Sequence, residues 1–502
     1  MLSRVISILK RCLHDRRLWA YFIIALLFFS VFMKLDFVTD TYADISYDPA
    51  RIVFNFLRSG RPFTAFIAYV FKILGFGIRV ANFLSFLLAI FSLTTALYLL
   101  EELIRKHLIA NQVWSFILPL LIILNPFIIE FFMYVEKGIM LAGVLCCIIA
   151  LHFYVTFLID RKKRPLLYAF VFSILAAFCY QGTLGIFIIL ATLFTIKQTK
   201  TFKIFIKNTV ISVAIYAVGA MASFILIKCI TPTGRIGGEI ILSASLRKIF
   251  TSLRGLFTTF DILPNWLLPV TIIAIIVIWL GTSTYHRQLF TNKTLQTFAM
   301  LIYLTVVIIL AAVAPQITQS TDLIWIVPRT AYAFASLPGI LLAIILSSST
   351  SSTHFLRLPQ VTNYALLFIS LSLLIVQFYR FNTISINHYE LTAIDQYRSV
   401  QIASLIADYE AEHQTEVTTI MPAADAGISY SYSGIFQIGD GNISSYATDW
   451  SDINSLNYWT KRSFERQNPT EEWKNYCQSH NWGTFHNDQI RFSGSTLQIC
   501  LY

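Results

Sequence analysis

The feature that most limits what this chain can become is its succession of long apolar runs, separated by short polar or basic loops. A helix needs about 17–25 mostly apolar residues to cross a bilayer. Runs approaching or reaching that length fall near residues 18–34, 82–104, 114–132, 138–159, 166–181, 184–197, 209–228, 263–281, 296–314, 331–347 and 362–379, about eleven in all. Only 13% of the 502 residues are charged, against about 25% in soluble domains, so most of the chain is not water-solvated. The 42 phenylalanines suit helices whose outer faces touch lipid. Residues 1–17 are basic and no small-residue cleavage site follows the first run, so that run is expected to stay as an anchor. The expected fold is an α-helical polytopic membrane protein with about eleven transmembrane helices.

Topology turns on the segment Phe63–Ile78, which is apolar but short and interrupted by Lys72. Counting it as a span would flip every later loop. Leaving it out places Arg105, Lys106, Arg161–Arg164, Lys197, Lys200, Lys203 and Lys207 on the side of the basic N-terminus, as the positive-inside rule requires of short loops. It therefore reads as a juxtamembrane helix at the outer interface. Residues 18–380 then form the membrane domain, and residues 35–81, 130–137, 229–266 and 315–329 face outward. Residues 381–502 follow as a small extracytoplasmic α/β domain, with a helix expected over 394–409 and a strand over 417–421.

Charge is divided along the chain. The net charge is +11, yet residues 380–502 hold 7 basic and 14 acidic side chains. A basic membrane part joined to an acidic tail makes nucleic acid an unsuitable partner. The basic excess suits lipid headgroups and phosphates. Cys477 and Cys500 are the only cysteines of the tail. They can pair if the tail lies outside the cytoplasm, though two free thiols remain equally open.

Chemistry is most concentrated in Lys34–Pro62, where Asp36, Asp40, Asp44 and Asp48 recur every fourth residue. In one helix they would share a face. Arg51, Arg58 and Arg61 follow and can grip phosphate. An interfacial carboxylate can take a proton from an acceptor hydroxyl while guanidiniums hold a leaving phosphate. An acidic, merely solvated loop is the plainer alternative. Glu130 and Glu136 in Asn125–Lys137 lie where the outer interface begins, and either serve substrate or form salt bridges to Lys137 or a loop arginine. Tyr180 and Gln181 separate two short apolar runs and form either a sugar-binding tip or a simple turn. Arg235, Arg247, Lys248, Arg254 and Arg329 place positive charge outside, for a phosphate or for the acidic tail. Arg329 abuts an apolar run and is expected to be buried.

Some classes are excluded. The chain has no phosphate-binding GxxxxGK[ST] loop, no HExxH, no metal-spaced Cys/His cluster and no DxD-containing nucleotide-sugar domain. No metal or cofactor is expected, and an enzyme here must take a lipid-carried, already activated substrate.

With those residues in place, the chain resembles the bacterial GT-C-type membrane glycosyltransferases, most closely the glucosyltransferase family that decorates O-antigen and other surface polysaccharides. The likeness rests on an early acidic loop closing with Gly60-Arg61-Pro62, on Asn125-Pro126 followed by Glu130, on Tyr180-Gln181, and on the number of spans. The resemblance implies transfer of glucose from a polyprenyl-phosphate-sugar donor to a surface polysaccharide, outside the cell membrane, with an aspartate of the first outer loop as base and no cofactor. Family members often show adjacent acidic residues before an arginine. Here Tyr47-Asp48-Pro49-Ala50-Arg51 lacks the first of them, which leaves Asp40 and Asp48 together as first candidates, then Asp44 and Asp36. Arg61, Arg329 and Arg254 would steady the departing phosphate. The rival expectations are a polymerase or ligase acting on lipid-linked oligosaccharide, and a non-enzymatic flippase of lipid-linked sugars.

Overall fold

The computed structural model describes residues 15–34, 36–46, 48–199, 201–230, 242–285, 302–311, 324–348, 360–427, 432, 434–436, 438–439, 441–482 and 486–501. In chain order the helices are α1 (Arg16–Phe29), α2 (Thr39–Ser46), α3 (Pro49–Arg58), α4 (Pro62–Ile73), α5 (Ile78–His107) and α6 (Gln112–Ile123). Then come α7 (Ile128–Met133), α8 (Lys137–Asp160), α9 (Lys163–Cys179), α10 (Leu184–Gln198), α11 (Phe202–Ile230), α12 (Leu242–Phe257) and α13 (Leu267–Tyr285). The series closes with α14 (Ile302–Ala311), α15 (Leu337–Ser348), α16 (Gln360–His413), α17 (Asp452–Thr460) and α18 (Glu471–Gln478).

The chain divides into two units, one of Met1–Met33 with Val53–Asn382, the other of Lys34–Ile52 with Thr383–Tyr502. The first unit is helical. Its helices carry apolar side chains on their open faces: Ile23 and Leu27 on α1, Leu84, Leu87, Leu88 and Phe91 on α5, and Val210, Val213, Met221 and Ile225 on α11 are all exposed. A soluble helix points its apolar stripe inward; here the reversed pattern suits a hydrocarbon solvent. Small polar and glycine positions face the neighbouring helices instead, as where Ser173 of α9 donates to the Ile215 carbonyl of α11 (2.9 Å).

Every expected apolar run coincides at least in part with a helix. Among the described residues, however, six are long and apolar enough to cross a membrane: Arg16–Met33, α5, α8, Gln181–Gln198, α11 and α16. Five shorter apolar helices accompany them, so eleven spans are not established. The run at 114–132 breaks where Leu124 leaves helical geometry (ψ 42°) and Pro126 follows, since proline cannot supply the helical N–H. The run at 296–314 extends beyond the described residues.

The second unit holds a four-stranded sheet of β1 (Thr419–Ala424), β2 (Glu465–Arg466), β3 (Ile490–Ser493) and β4 (Thr496–Leu501), ordered β2-β1-β4-β3. β1 runs parallel to β2 and β4, and β3–β4 is an antiparallel hairpin. The parallel pairs require helical connections, which α17 and α18 provide. Ile402 and Ile406 of α16 pack with Val417, Ile420, Leu456, Leu497 and Ile499 in the core. The helix expected over 394–409 is thus the continuation of the last membrane helix. No glycine or proline interrupts Gln360–His413, so nothing local stops it, and its 54 residues span about 80 Å at 1.5 Å per residue.

The segment Lys34–Ile52, expected to belong wholly to the membrane part, packs in the second unit. Phe37 and Tyr42 stack at 4.7 Å between ring centroids and meet Tyr458 and Trp459 of α17. Trp459 Nε1 donates to the Tyr42 hydroxyl at 3.0 Å, and Phe37 N to Thr392 Oγ1 at 3.1 Å.

Cys477 and Cys500 form a disulfide with Cα atoms 5.4 Å apart, tying α18 to β4. The bond closes a loop of sequence separation 23, so its loss should cost about 2–4 kcal/mol. Replacing both cysteines by alanine should lower the unfolding temperature of the second unit, read by differential scanning calorimetry with and without reductant. Identical transitions in all four samples would contradict the stabilising role.

Candidate functional site

Buried charge in the first unit gathers around α7 and the turn that enters α10. Glu130 of α7 is fully buried and accepts from the Arg329 backbone N (2.6 Å) and from Arg329 Nη1 (2.8 Å). The same guanidinium donates to the Tyr134 hydroxyl and lies 4.4 Å over the Tyr134 ring. Of the two expectations for Glu130, the salt bridge is the one realised. The Arg329 side chain is mostly buried, 11% exposed, and its Nη1 is committed to Glu130 and Tyr134.

Arg61 stands differently. It is 4.6 Å over the ring of Tyr180 and 3.7 Å from Glu136 Oε1, with four-fifths or more of both paired side chains buried. Its Nε is buried with no hydrogen-bond partner among the described residues. A guanidinium offers five donors and no acceptor, so a partly buried one with a spare donor is suited to an anion.

The local sequence sets this arginine in place. Gly60 has φ +73°, and a Cβ there would sit 2.4 Å from Ser223 Oγ and 2.5 Å from Gln181 Nε2. Both the left-handed backbone and the tight space demand glycine. Gln181 Nε2 donates to the carbonyls of Ser59 (2.8 Å) and Gly60 (3.1 Å) and to Ser223 Oγ (2.7 Å). Gln181 therefore positions the strap that presents Arg61. Pro62 then opens α4, where a missing N–H costs nothing. Tyr180 ends α9 in extended backbone and Gln181–Thr183 form a short 3₁₀ turn, so the expected turn is present. Gly182 allows the Arg329 carbonyl to approach, 2.7 Å from where its Cβ would be.

Lys137, expected to pair with a glutamate, instead joins residues that sequence reasoning missed. Lys137 Nζ, almost fully buried, donates to Asn82 Oδ1 (2.5 Å), and Asn82 donates to the Met33 carbonyl (3.1 Å). An isolated amide near the start of an apolar run is costly without a partner, and that was the available signal for Asn82. Ser223 carried none.

The aspartates do not form one stripe. Asp36 precedes α2 and is buried, Asp40 and Asp44 share α2 with Asp40 exposed, and Asp48 stands apart. Asp48 Oδ1 accepts from Arg51 N at 2.9 Å, capping α3. Pro49 biases the residue before it away from helix, so the four-residue repeat is cut between Ser46 and Pro49. Arg51, with Asp36, Asp40, Asp44 and Asp48, belongs to the second unit; Arg58 and Arg61 belong to the first. Arg58 is exposed at the end of α3, where a cation favours the helix dipole. Arg254 lies exposed on α12 and does not join the cluster, as do not Arg247 and Lys248; Arg235 lies outside the described residues. Among the described residues no group of three His, Cys, Asp or Glu could hold a metal.

No protein-family model matches the chain, and no curated protein matches it. The functional reading therefore rests on the residues themselves.

Proposed function

We propose that the protein is a membrane glycosyltransferase that moves a sugar, glucose by the family resemblance, from a polyprenyl-phosphate carrier to a cell-surface polysaccharide. The observation that carries this reading is Arg61: a guanidinium largely withdrawn from water, held over Tyr180 at 4.6 Å, with Nε unpartnered among the described residues. Such a donor suits a phosphate monoanion or dianion. Glu136 stands 3.7 Å from the cation, a loose pairing that leaves the guanidinium able to meet a phosphate. The Glu130–Arg329 pair holds the surrounding turns still, and apolar helices offer a surface for the polyprenyl tail.

In the reaction, an acceptor hydroxyl oxygen attacks the anomeric carbon as its proton passes to a carboxylate base, which the family resemblance alone assigns to an aspartate of the 36–48 segment. The bond from the anomeric carbon to the phosphate oxygen breaks, and polyprenyl phosphate leaves with the electron pair. Arg61 steadies the charge that grows on that oxygen. Asp40 on α2 and Asp48 ahead of α3 are exposed, Asp44 is partly exposed and Asp36 is buried. This reading has the N-terminus in the cytoplasm and the tail outside; the Cys477–Cys500 disulfide supports it, since such bonds persist in oxidising compartments.

Changing Asp36, Asp40, Asp44 and Asp48 to asparagine one at a time tests the base. One replacement, with Asp40 or Asp48 favoured, should slow transfer by about 10²–10⁴-fold while donor binding persists. Undiminished transfer in all four variants would refute a base in this segment.

A further inference from the structure

A second candidate site stands within the second unit. A cleft of about 350 Å³ is bordered by Trp450, Asp449, Asp452, Asn454, Arg466 and Arg51. That volume is at the small end of the range of about 300–1,000 Å³ for ligand pockets. Ile453 and Phe464, both buried, form its apolar base.

The lining is built rather than incidental. Trp450 leaves 47% of its surface exposed at the turn before α17. Its carbonyl accepts from Asn454 Nδ2 at 2.8 Å, which fixes the turn and leaves the Asn454 oxygen as that side chain's remaining acceptor. Asp452 is almost fully buried and bound by Arg466 Nε at 3.2 Å. Burial lifts its pKa to about 6 against the pull of that arginine, so the carboxylate is mostly ionised at neutral pH. Two guanidiniums thus stand beside two carboxylates.

We propose that this cleft binds a neutral glycan segment. The charges cancel, so neither a phosphate nor a cation gains from entering; Asp449 and Asp452 oppose the first, Arg51 and Arg466 the second. A sugar ring needs the opposite of a single sign: acceptors and planar donors together, since every hydroxyl both donates and accepts. It also presents an apolar C–H face, which the open indole of Trp450 can cover. That the bound glycan is the acceptor of sugar transfer rests on the proposed function; the binding itself does not.

The test uses the full-length protein in lipid nanodiscs and neutral tetrasaccharides of glucose, galactose, mannose and rhamnose, with binding followed by saturation-transfer NMR and titration calorimetry. At least one saccharide should bind, Trp450→Ala should weaken it about tenfold or more, and Trp450→Phe should restore most of the loss. Inorganic phosphate should not compete. The proposal is overturned if no saccharide binds, if Trp450→Ala binds like wild type (as it would were Trp450 only a lipid-headgroup anchor), or if phosphate displaces the saccharide. Arg61→Ala should keep saccharide binding while losing transfer. Saccharide binding by a wild-type protein that transfers no sugar would remove the transferase reading and leave the cleft standing.

Discussion

Glu130→Ala should destabilise the first unit by about 3–5 kcal/mol, because it strips a buried guanidinium of its carboxylate. Glu130 is fully buried, and the pair closes at 2.8 Å with a second bond of 2.6 Å to the Arg329 backbone N. The attraction between the two charges offsets the cost of removing both from water, and removing one partner leaves that cost uncompensated. The double replacement Glu130→Gln with Arg329→Met removes both charges at similar volume and should recover much of the loss. Unfolding in mild detergent, followed by thiol accessibility of Cys147 and Cys179, both buried, measures it. A single variant as stable as wild type would show that the pair is not what fastens α7 to the chain before α15.

Arg61→Ala should reduce sugar transfer by about 10²–10³-fold, the usual effect of losing one donor to a developing oxyanion. Its stability effect should be small beside that of Glu130, for Glu136 approaches it only to 3.7 Å. Arg61→Lys should recover little, because an ammonium lacks the planar fork and stacks less well on Tyr180. Gln181→Ala supplies the complementary case. It leaves Arg61 intact but frees the Ser59–Gly60 carbonyls it holds at 2.8 and 3.1 Å, so transfer should fall with weaker donor binding. Equal transfer in Arg61→Ala and wild type would leave the phosphate without its proposed ligand.

The sequence foretold the positions of the helices far better than their lengths or their partners. Hydropathy located a helix at each apolar run because burial in lipid acts residue by residue. It stated lengths poorly where a single backbone feature decides, as at Leu124–Pro126, or where nothing intervenes, as through α16. The aspartate repeat looked like one helical face because a four-residue period ignores Pro49. The union of Lys34–Ile52 with the tail was illegible for a different reason. It depends on Phe37 and Tyr42 meeting Tyr458 and Trp459, aromatic residues more than 400 positions away with no periodic signal.

Of the candidate site, the arginine and glutamates were legible as charges in costly places, and Gly60-Arg61-Pro62 as the motif that closes the acidic loop. Which cation would meet which carboxylate was not. Glu130 takes Arg329 and Glu136 takes Arg61, while the adjacent Lys137 turns to Asn82. That sorting follows from the faces of α7 and α8, which three-dimensional packing alone decides.

Purified protein in nanodiscs, supplied with polyprenyl phosphate carrying a radiolabelled glucose and with surface polysaccharide, gives the most direct trial of the whole account. Label should appear on the polysaccharide one sugar at a time, in step with free polyprenyl phosphate. Label that stays on the lipid, that merely crosses the bilayer with its carrier, or that arrives only as preassembled oligosaccharide blocks would contradict it.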